Sequence, residues 1–476
     1  MAYETRPFIN GRFVAPAGTF PVRNPFTGET FAEAGCTDRA MLGHALDAAE
    51  AAGAALAKLA PFERAELLHK ISALILRRAN EFANLIMLEA GKPITLAKAE
   101  VQRAAGTFAI AGDEARRYAG ELHLQEAYAP SGGKYAVIGR FPVTPVLAIT
   151  PFNFPLNLTA HKVAPALAVG CAVIHKPASY TPLTALMLAE VYAEAGVPAG
   201  AYNVIPCSSA ELGTLTSSER VRKVSFTGSP EVGWALKAAS GRKKVTLELG
   251  GNAAVVIDEV NDIAGVAAQV ARGAFACAGQ VCISIQRIFV QQRLYGEFTL
   301  ALVDYTAKSI RSGNPADPDV INGPMISPQD VERVSSWVKD AQASGASVLC
   351  GGIAQGRVFM PTFISGAPED AKVCADEAFA PVAVIAPYGD FTEAVAMVNN
   401  SRFGLQAGYF THDLDKANYA YENTHAGAVL INETPIARLD HLPYGGVKDS
   451  GFGREGPRAA MDELTEPRLL VTKPGR

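Results

Sequence analysis

The chain has 476 residues, of which 49% are hydrophobic and 19% charged, with a formal net charge of -4 and a pI near 6.1. That composition suits a large globular protein of roughly two to four domains. It excludes disorder, fibrous repeats and a surface built for nucleic acid or an anionic membrane. The longest apolar run, Val163 to Ile174, contains Pro165 and is too short to span a bilayer. The opening MAYETRPFIN has no apolar core of a secretory signal, and seven thinly spread cysteines do not suggest a disulfide framework. A soluble, cytoplasmic protein is expected.

In chain order, the first 60 residues read as a short strand and turns (FINGRFV, NPFTGE) followed by an alanine-rich helix from about Met41. Helical periodicity returns across Glu63–Glu89, stopped by Gly91 and Pro93, and again across Leu96–Tyr118. Between Leu122 and Thr150 the pattern becomes strand-like, in KYAVIGRFPV and PVLAIT. A strict alternation follows: helical Leu156–Val169, CAVIH, helical Thr181–Ala195, YNVI, helical Ser209–Ser217, KVSFTG, helical Pro230–Ser240, VTLELGG and AAVVID. Short apolar strands separated by amphipathic helices predict βαβ units and a buried, mostly parallel sheet. A second α/β series begins after Asn261 with a helix, RIFVQ and helices Glu297–Ile310 and Gln329–Ala343. The final stretch ELTEPRLLVT reads as an apolar strand that has to find a partner, here perceived as another subunit.

Three segments are not ordinary core. Cys282, in AGQVCIS, follows Gly279 and Gln280 in a turn beyond a helix, where the backbone can approach a ligand. The other six cysteines read as small buried hydrophobes. Glu248 ends the apolar strand VTLELGG, where desolvation favours its neutral form and brings its pKa toward that of a general base; the alternative is a salt-bridged strand end. Asn153, between Pro151 and Pro155, offers a fixed amide donor of the kind that stabilises an oxyanion, or simply makes a turn.

Together these segments resemble the aldehyde dehydrogenase superfamily. The motifs PFNFPLN, HKPAS, FTGSPEVG, LELGGN, GQVCIS, EAFAPV and PYGGVKDSGFGREG occur in family order nearly end to end, with 34 residues from Glu248 to Cys282. The resemblance implies an α/β fold with a Rossmann-like cofactor domain (1–119 and 144–249), a second α/β catalytic domain (250–449), and a small β oligomerisation element (120–143 and 450–476). It implies that Cys282 is the nucleophile toward an aldehyde, that Asn153 and the Cys282 N–H bind the oxyanion, and that Glu248 activates water on a thioester. Lys176 resembles the contact to the adenosine ribose, whereas Lys162 is expected only to be solvated on a helix face. Gly228, Ser229 and Gly233 supply the cofactor loop at a helix N-terminus. Glu377 matches the glutamate on the nicotinamide ribose and Phe379 the aromatic beside it, with Ala380 replacing the family's usual Gly.

Ser179, three residues after Lys176, stands where members selective for NAD often carry Glu. A serine can donate to a 2′-phosphate or leave room for it, so NADP is expected to be accepted, with dual use of NAD. The C-terminal motif resembles the branch acting on small polar aldehydes and semialdehydes. Arg103 and Arg438 could present guanidinium groups to a substrate anion, or hold helices and loops together. His161 could line the approach to the thiol or serve packing. No His or Cys cluster has metal-ligand spacing. The expected partners are a small-molecule aldehyde and further copies of the chain. The weighed alternatives are a CoA-acylating semialdehyde dehydrogenase, which Glu248 disfavours, and a non-catalytic homologue.

Overall fold

The computed structural model describes residues 3–124 and 134–473. The alternating stretch builds five strands: β1 (Val146–Ile149), β2 (Val173–Lys176), β3 (Tyr202–Val204), β4 (Lys223–Thr227) and β5 (Lys244–Glu248). They lie parallel in the order β3-β2-β1-β4-β5. Every residue of β1, β3 and β4 is buried, as a sheet covered on both faces requires. Antiparallel pieces finish both edges, Phe8–Ile9 and Arg12–Phe13 beyond β3 and Gly451–Phe452 beyond β5. The strand order reverses between β1 and β4, and in open α/β sheets the ligand crevice lies beyond the carboxyl ends at such a reversal.

The helices around this sheet include α1 (Pro61–Arg77), α2 (Ala79–Ala90), α3 (Ile94–Arg117), α4 (Asn157–Val169), α5 (Pro182–Ala195) and α6 (Pro230–Ala239). The single helix expected over Glu63–Glu89 is two, because Arg78 leaves helical geometry at φ -99°, ψ 18°. Its guanidinium is held by Glu81 at 3.1 Å and by Glu190 of α5 at 2.8 Å. All residues of α4 are buried, and the helix ends on left-handed Gly170 at φ 85°.

A second sheet contains β6 (Ala253–Ile257), β7 (Ile285–Gln291), β8 (Thr362–Ser365), β9 (Val382–Tyr388), β10 (Gln406–Phe410) and β11 (Ala428–Ile431). They are parallel in the order β8-β9-β7-β6-β10-β11, with Ser347–Cys350 antiparallel outside β8. Helix α7 (Ile263–Phe275) leads from β6 toward β7 and packs its buried face into this half of the core.

The C-terminal strand differs from expectation in finding its first partner within the chain. Thr465–Thr472 pairs antiparallel with Tyr135–Pro142, which pairs with Glu121–Leu124; the intervening residues 125–133 of the expected hairpin lie outside the described residues. The stretch expected to act as one element from 450 onward is divided. Gly451–Phe452 extends the first sheet, and Ala460, Met461 and Leu464 pack into its core. These small and apolar side chains complete that core, leaving only the last strand outside it.

Candidate active site

Strand β1 runs out into the Pro-flanked loop that carries Asn153. This side chain is buried, and its Nδ2 donates to the Gln280 carbonyl at 2.9 Å, while its Oδ1 has no partner among the described residues. The loop is anchored from α3: Glu100 accepts from the Leu156 and Asn157 N–H groups at 2.9 and 3.1 Å, capping α4. Glu100 also pairs with buried Lys92, whose ammonium lies 3.4 Å from the Phe154 ring centroid.

Beyond α7 the chain makes a tight left-handed turn, with Cys277, Ala278 and Gly279 at φ 55°, 56° and 63°. A side chain at Gly279 would overlap the Ala380 carbonyl, so the turn can sit directly against that segment only with glycine there. Gln280 fastens the turn: its Oε1 accepts from Ile326 N–H at 2.9 Å and its Nε2 donates to Cys277 O and Pro324 O at 3.4 Å. The sequence reading missed this bracing role. Cys282 follows, with its carbonyl where a side chain on Gly251 would fall. Its sulfur lines a cavity of about 570 Å³ that Asn153 also lines. Burial pushes the Cys282 thiol up to about 11, although Tyr444, with its hydroxyl 3.3 Å from Sγ, opposes the rise. Tyr444 also carried no role in the sequence reading; its place before Gly445-Gly446 was the available signal.

Glu248 is the last residue of β5, paired in register with Thr227 and Gly451. It is buried and neither carboxylate oxygen has a partner among the described residues. Burial, then the negative charge of Glu455, raises it well above the usual carboxylate range against Arg438, Lys162 and Arg454. A side chain on Gly445 would stand 2.7 Å from its Oε1, so glycine there keeps the carboxylate in place. Glu455 moves in the opposite direction. Burial pushes it up, but Lys162 at 2.7 Å and Arg438 at 3.4 Å hold it below its usual range.

That pair corrects the expectation for Lys162. Because α4 is buried all round, its ammonium cannot reach solvent; it bonds Glu455 and donates to Ser225 Oγ at 3.1 Å. The three substrate candidates converge on one carboxylate, Asp440. Arg103 makes a two-pronged pair with it at 2.8 and 2.9 Å, His161 Nε2 lies 2.9 Å from Oδ1, and Arg438 Nε 3.5 Å away. Burial and the Arg438 charge push His161 down to about 4, leaving it neutral at neutral pH. Burial acts to raise Asp440, but His161 and Arg103 outweigh it and carry the group below its usual range. Arg103 stays 34% exposed at its side chain, whereas Arg438 is 6% exposed.

The same cavity extends over the carboxyl end of β4, past Gly228 and Ser229. Ser229 caps α6, accepting from Val232 N–H at 3.5 Å. Gly233 lets that helix press onto Leu249, where a side chain would overlap. Glu377 accepts from Gly251 N–H at 2.9 Å, packs against Gly250, and is pushed up to about 7 by burial. Phe379, left-handed at φ 46°, meets Phe152 edge-on with 5.9 Å between ring centroids. Lys176 ends β2 half-buried, with its ammonium pushed down by burial, and Ser179 is exposed in the following turn. Neither lines the cavity itself; Tyr180, next to Ser179, contacts Phe152 at 6.0 Å between ring centroids. The position of the cavity over the α6 N-terminus and the buried Thr227 hydroxyl, which has no partner among the described residues, fit a dinucleotide. Among the described residues no group of His, Cys, Asp or Glu could hold a metal ion, and no helix is long and apolar enough to cross a membrane.

The model of the aldehyde dehydrogenase family matches residues 13–470. The chain is 41% identical over 465 residues to 3-sulfolactaldehyde dehydrogenase of Priestia megaterium, covering 98% of this chain and 97% of that one. A crystal structure of aldehyde dehydrogenase 21 from Physcomitrella patens, in complex with its reaction product succinate, is similar at TM-score 0.96 and 39% identity, covering 99% and 98% of the two chains. Glyceraldehyde-3-phosphate dehydrogenase of Methanocaldococcus jannaschii, complexed with NADP, is similar at TM-score 0.91 and 34% identity, covering 96% and 99%.

Proposed function

The chain belongs to the aldehyde dehydrogenase family, and on that footing we propose that it oxidises a small polar or anionic aldehyde to the carboxylate with NADP or NAD, through covalent intermediates on Cys282. The observation that carries this reading is the meeting of Cys282 and Asn153 at one cavity, with the buried carboxylate of Glu248 near enough for its charge to act on the thiol and both its oxygens unpartnered among the described residues.

Bound over Gly228, Ser229 and Glu377, the dinucleotide would supply the hydride acceptor. The residues do the rest. A thiol raised to about 11 is protonated at neutral pH, so as Cys282 attacks, its S–H bond breaks and the proton passes to water in the cavity. As its sulfur bonds to the carbonyl carbon, the carbonyl electron pair moves onto oxygen. The second N–H of the Asn153 amide and the Cys282 backbone N–H are the donors for that charge. Oxidation leaves a thioester on Cys282, and Glu248, basic because it is desolvated, takes a proton from the water that hydrolyses it. A water-activating carboxylate favours release of the free acid over transfer to CoA, and also argues against a non-catalytic homologue.

Substrates of the similar proteins, sulfolactaldehyde among them, are small and polar. Arg103 is paired with Asp440 and does not line the cavity, but 34% of its side chain is exposed, and an anionic tail extending beyond the cavity is the proposed partner for that exposed face. Self-association is supported by the C-terminal strand, where Leu469 and Leu470 are 62% and 61% exposed. Successive strand residues point to opposite faces, so both faces of this strand are uncovered, and a second copy is the proposed occupant.

Turnover of a panel of neutral and anionic aldehydes with each nucleotide, without CoA, tests the reading. Formation of the free acid, lost in Cys282→Ala, is expected; turnover that survives this substitution would overturn it.

A further inference from the structure

Tyr444 has a placement that thiol chemistry alone does not use up. It is 6% exposed, and its backbone is pinned on both sides, donating to Glu455 O at 2.9 Å and accepting from Glu455 N–H at 2.7 Å. The Arg438 guanidinium stacks 3.7 Å from the ring centroid and is itself held by Glu455 and Asp440. Val281, Ile283 and Leu405 pack around the ring. Among the described residues the only hydrogen-bond partner of its hydroxyl is Cys282 Sγ. Burial raises the phenol well above its ordinary value, so it remains a donor through the working pH range.

Addition of an aldehyde removes that partner. Once Sγ bonds to the carbonyl carbon, sulfur is a thioether, a weak acceptor, and the oxygen that receives the electron pair faces the Asn153 amide and the Cys282 N–H. A rigid, buried O–H is then left beside the first two substrate carbons. An oxygen on the carbon next to the former carbonyl, when gauche to sulfur about the bond between those two substrate carbons, lies close to Sγ, on which this donor is already centred at 3.3 Å. A deoxy substrate leaves the donor unmet, which a buried site penalises.

We propose that Tyr444 is a specificity-determining residue whose hydroxyl passes from Cys282 to the α-hydroxyl of the substrate, so that the enzyme selects 2-hydroxyaldehydes over their deoxy counterparts. This rests on the reading of Cys282 as the aldehyde-oxidising nucleophile.

The test compares kcat/KM for lactaldehyde with propanal, and for glyceraldehyde with 3-hydroxypropanal, in the wild type and in Tyr444→Phe, with rates corrected for free carbonyl. The wild type is expected to favour the hydroxylated member of each pair. Tyr444→Phe is expected to shrink that preference by roughly five- to tenfold, the worth of one hydrogen bond, with a smaller loss on propanal. A preference unchanged by the substitution, or a common loss on all four aldehydes, would overturn the proposal. A wild type that treats the members of each pair alike overturns it without any variant. A wild type that oxidises none of the four, nor any other aldehyde, brings down the underlying reading instead.

Discussion

The Asn153 amide donates to the carbonyl of Gln280 at 2.9 Å, two residues before the nucleophile, and this bond joins the two halves of the site. Asn153 leaves β1 of the first sheet, and Gln280 belongs to the turn that leads into β7 of the second. The proposed oxyanion donor and the thiol therefore keep a fixed separation that neither sheet alone could set.

The raised thiol predicts slow alkylation at rest. The rate of Cys282 modification by iodoacetamide should climb about tenfold per pH unit through the neutral range and level off near 11. A plateau already reached at pH 7, measured by mass spectrometry of the labelled peptide, would contradict this environment.

Glu248→Gln should spare acylation and slow hydrolysis by about 10²- to 10⁴-fold. Rapid mixing should show a burst of reduced nucleotide near one per site, with thioester accumulating on Cys282. In the wild type the carboxyl is raised by burial, so the base form is lost as pH falls; deacylation should decline from the neutral side, above the usual carboxylate range.

How much of this was legible in the linear chain depends on the reach of each interaction. The strands β1 to β5 announce themselves because buried parallel strands are short apolar runs whatever lies elsewhere. Asn153, Glu248 and Cys282 carry local marks: flanking prolines, a charge closing an apolar strand, a Gly-Gln turn. The break at Arg78 has no such mark, since the guanidinium answers to Glu190, far along the chain. Lys162 looks solvated for the same reason. Its partner Glu455 is distant in sequence, and only the packing of α4 against α3 and the C-terminal helix Pro457–Glu463 shows that no face is free. Tyr444 and Gln280 act through contacts to remote segments and could not be weighed from their neighbours.

Lys162→Met strands Glu455 without its closest cation. Removing one partner of a buried pair costs about 3–5 kcal/mol, read as a fall in denaturant midpoint. The sign for pH follows from the lowered Glu455: its stabilisation is present above the ordinary carboxylate value and is lost as pH falls through the folded one. With Lys162 gone that folded value rises, so the variant should unfold in acid at a higher pH than the wild type. Equal acid midpoints would show that Arg438 alone sets the charge.

Ser179→Glu should turn nucleotide choice toward NAD. A carboxylate facing a 2′-phosphate costs on the order of several kcal/mol, so kcat/KM for NADP should fall at least about tenfold while that for NAD changes little. A wild type that already prefers NAD by about a thousandfold would remove the basis for assigning Ser179 this role.

Leu470→Glu should lower the assembled mass measured by light scattering while leaving the alkylation rate of Cys282 intact, because residue 470 sits on the uncovered C-terminal strand. A wild type that runs as a monomer would show that this strand has no partner.

The left-handed turn at Cys277 and Ala278 has a wider consequence. Neither residue is glycine, and each gives up about 1–2 kcal/mol in that conformation, so the turn is a sprung platform latched by the Gln280 side chain onto Ile326 and Pro324. The thiol's position is thus tied, through one glutamine side chain, to the remote residues Pro324 and Ile326 rather than to its own turn alone.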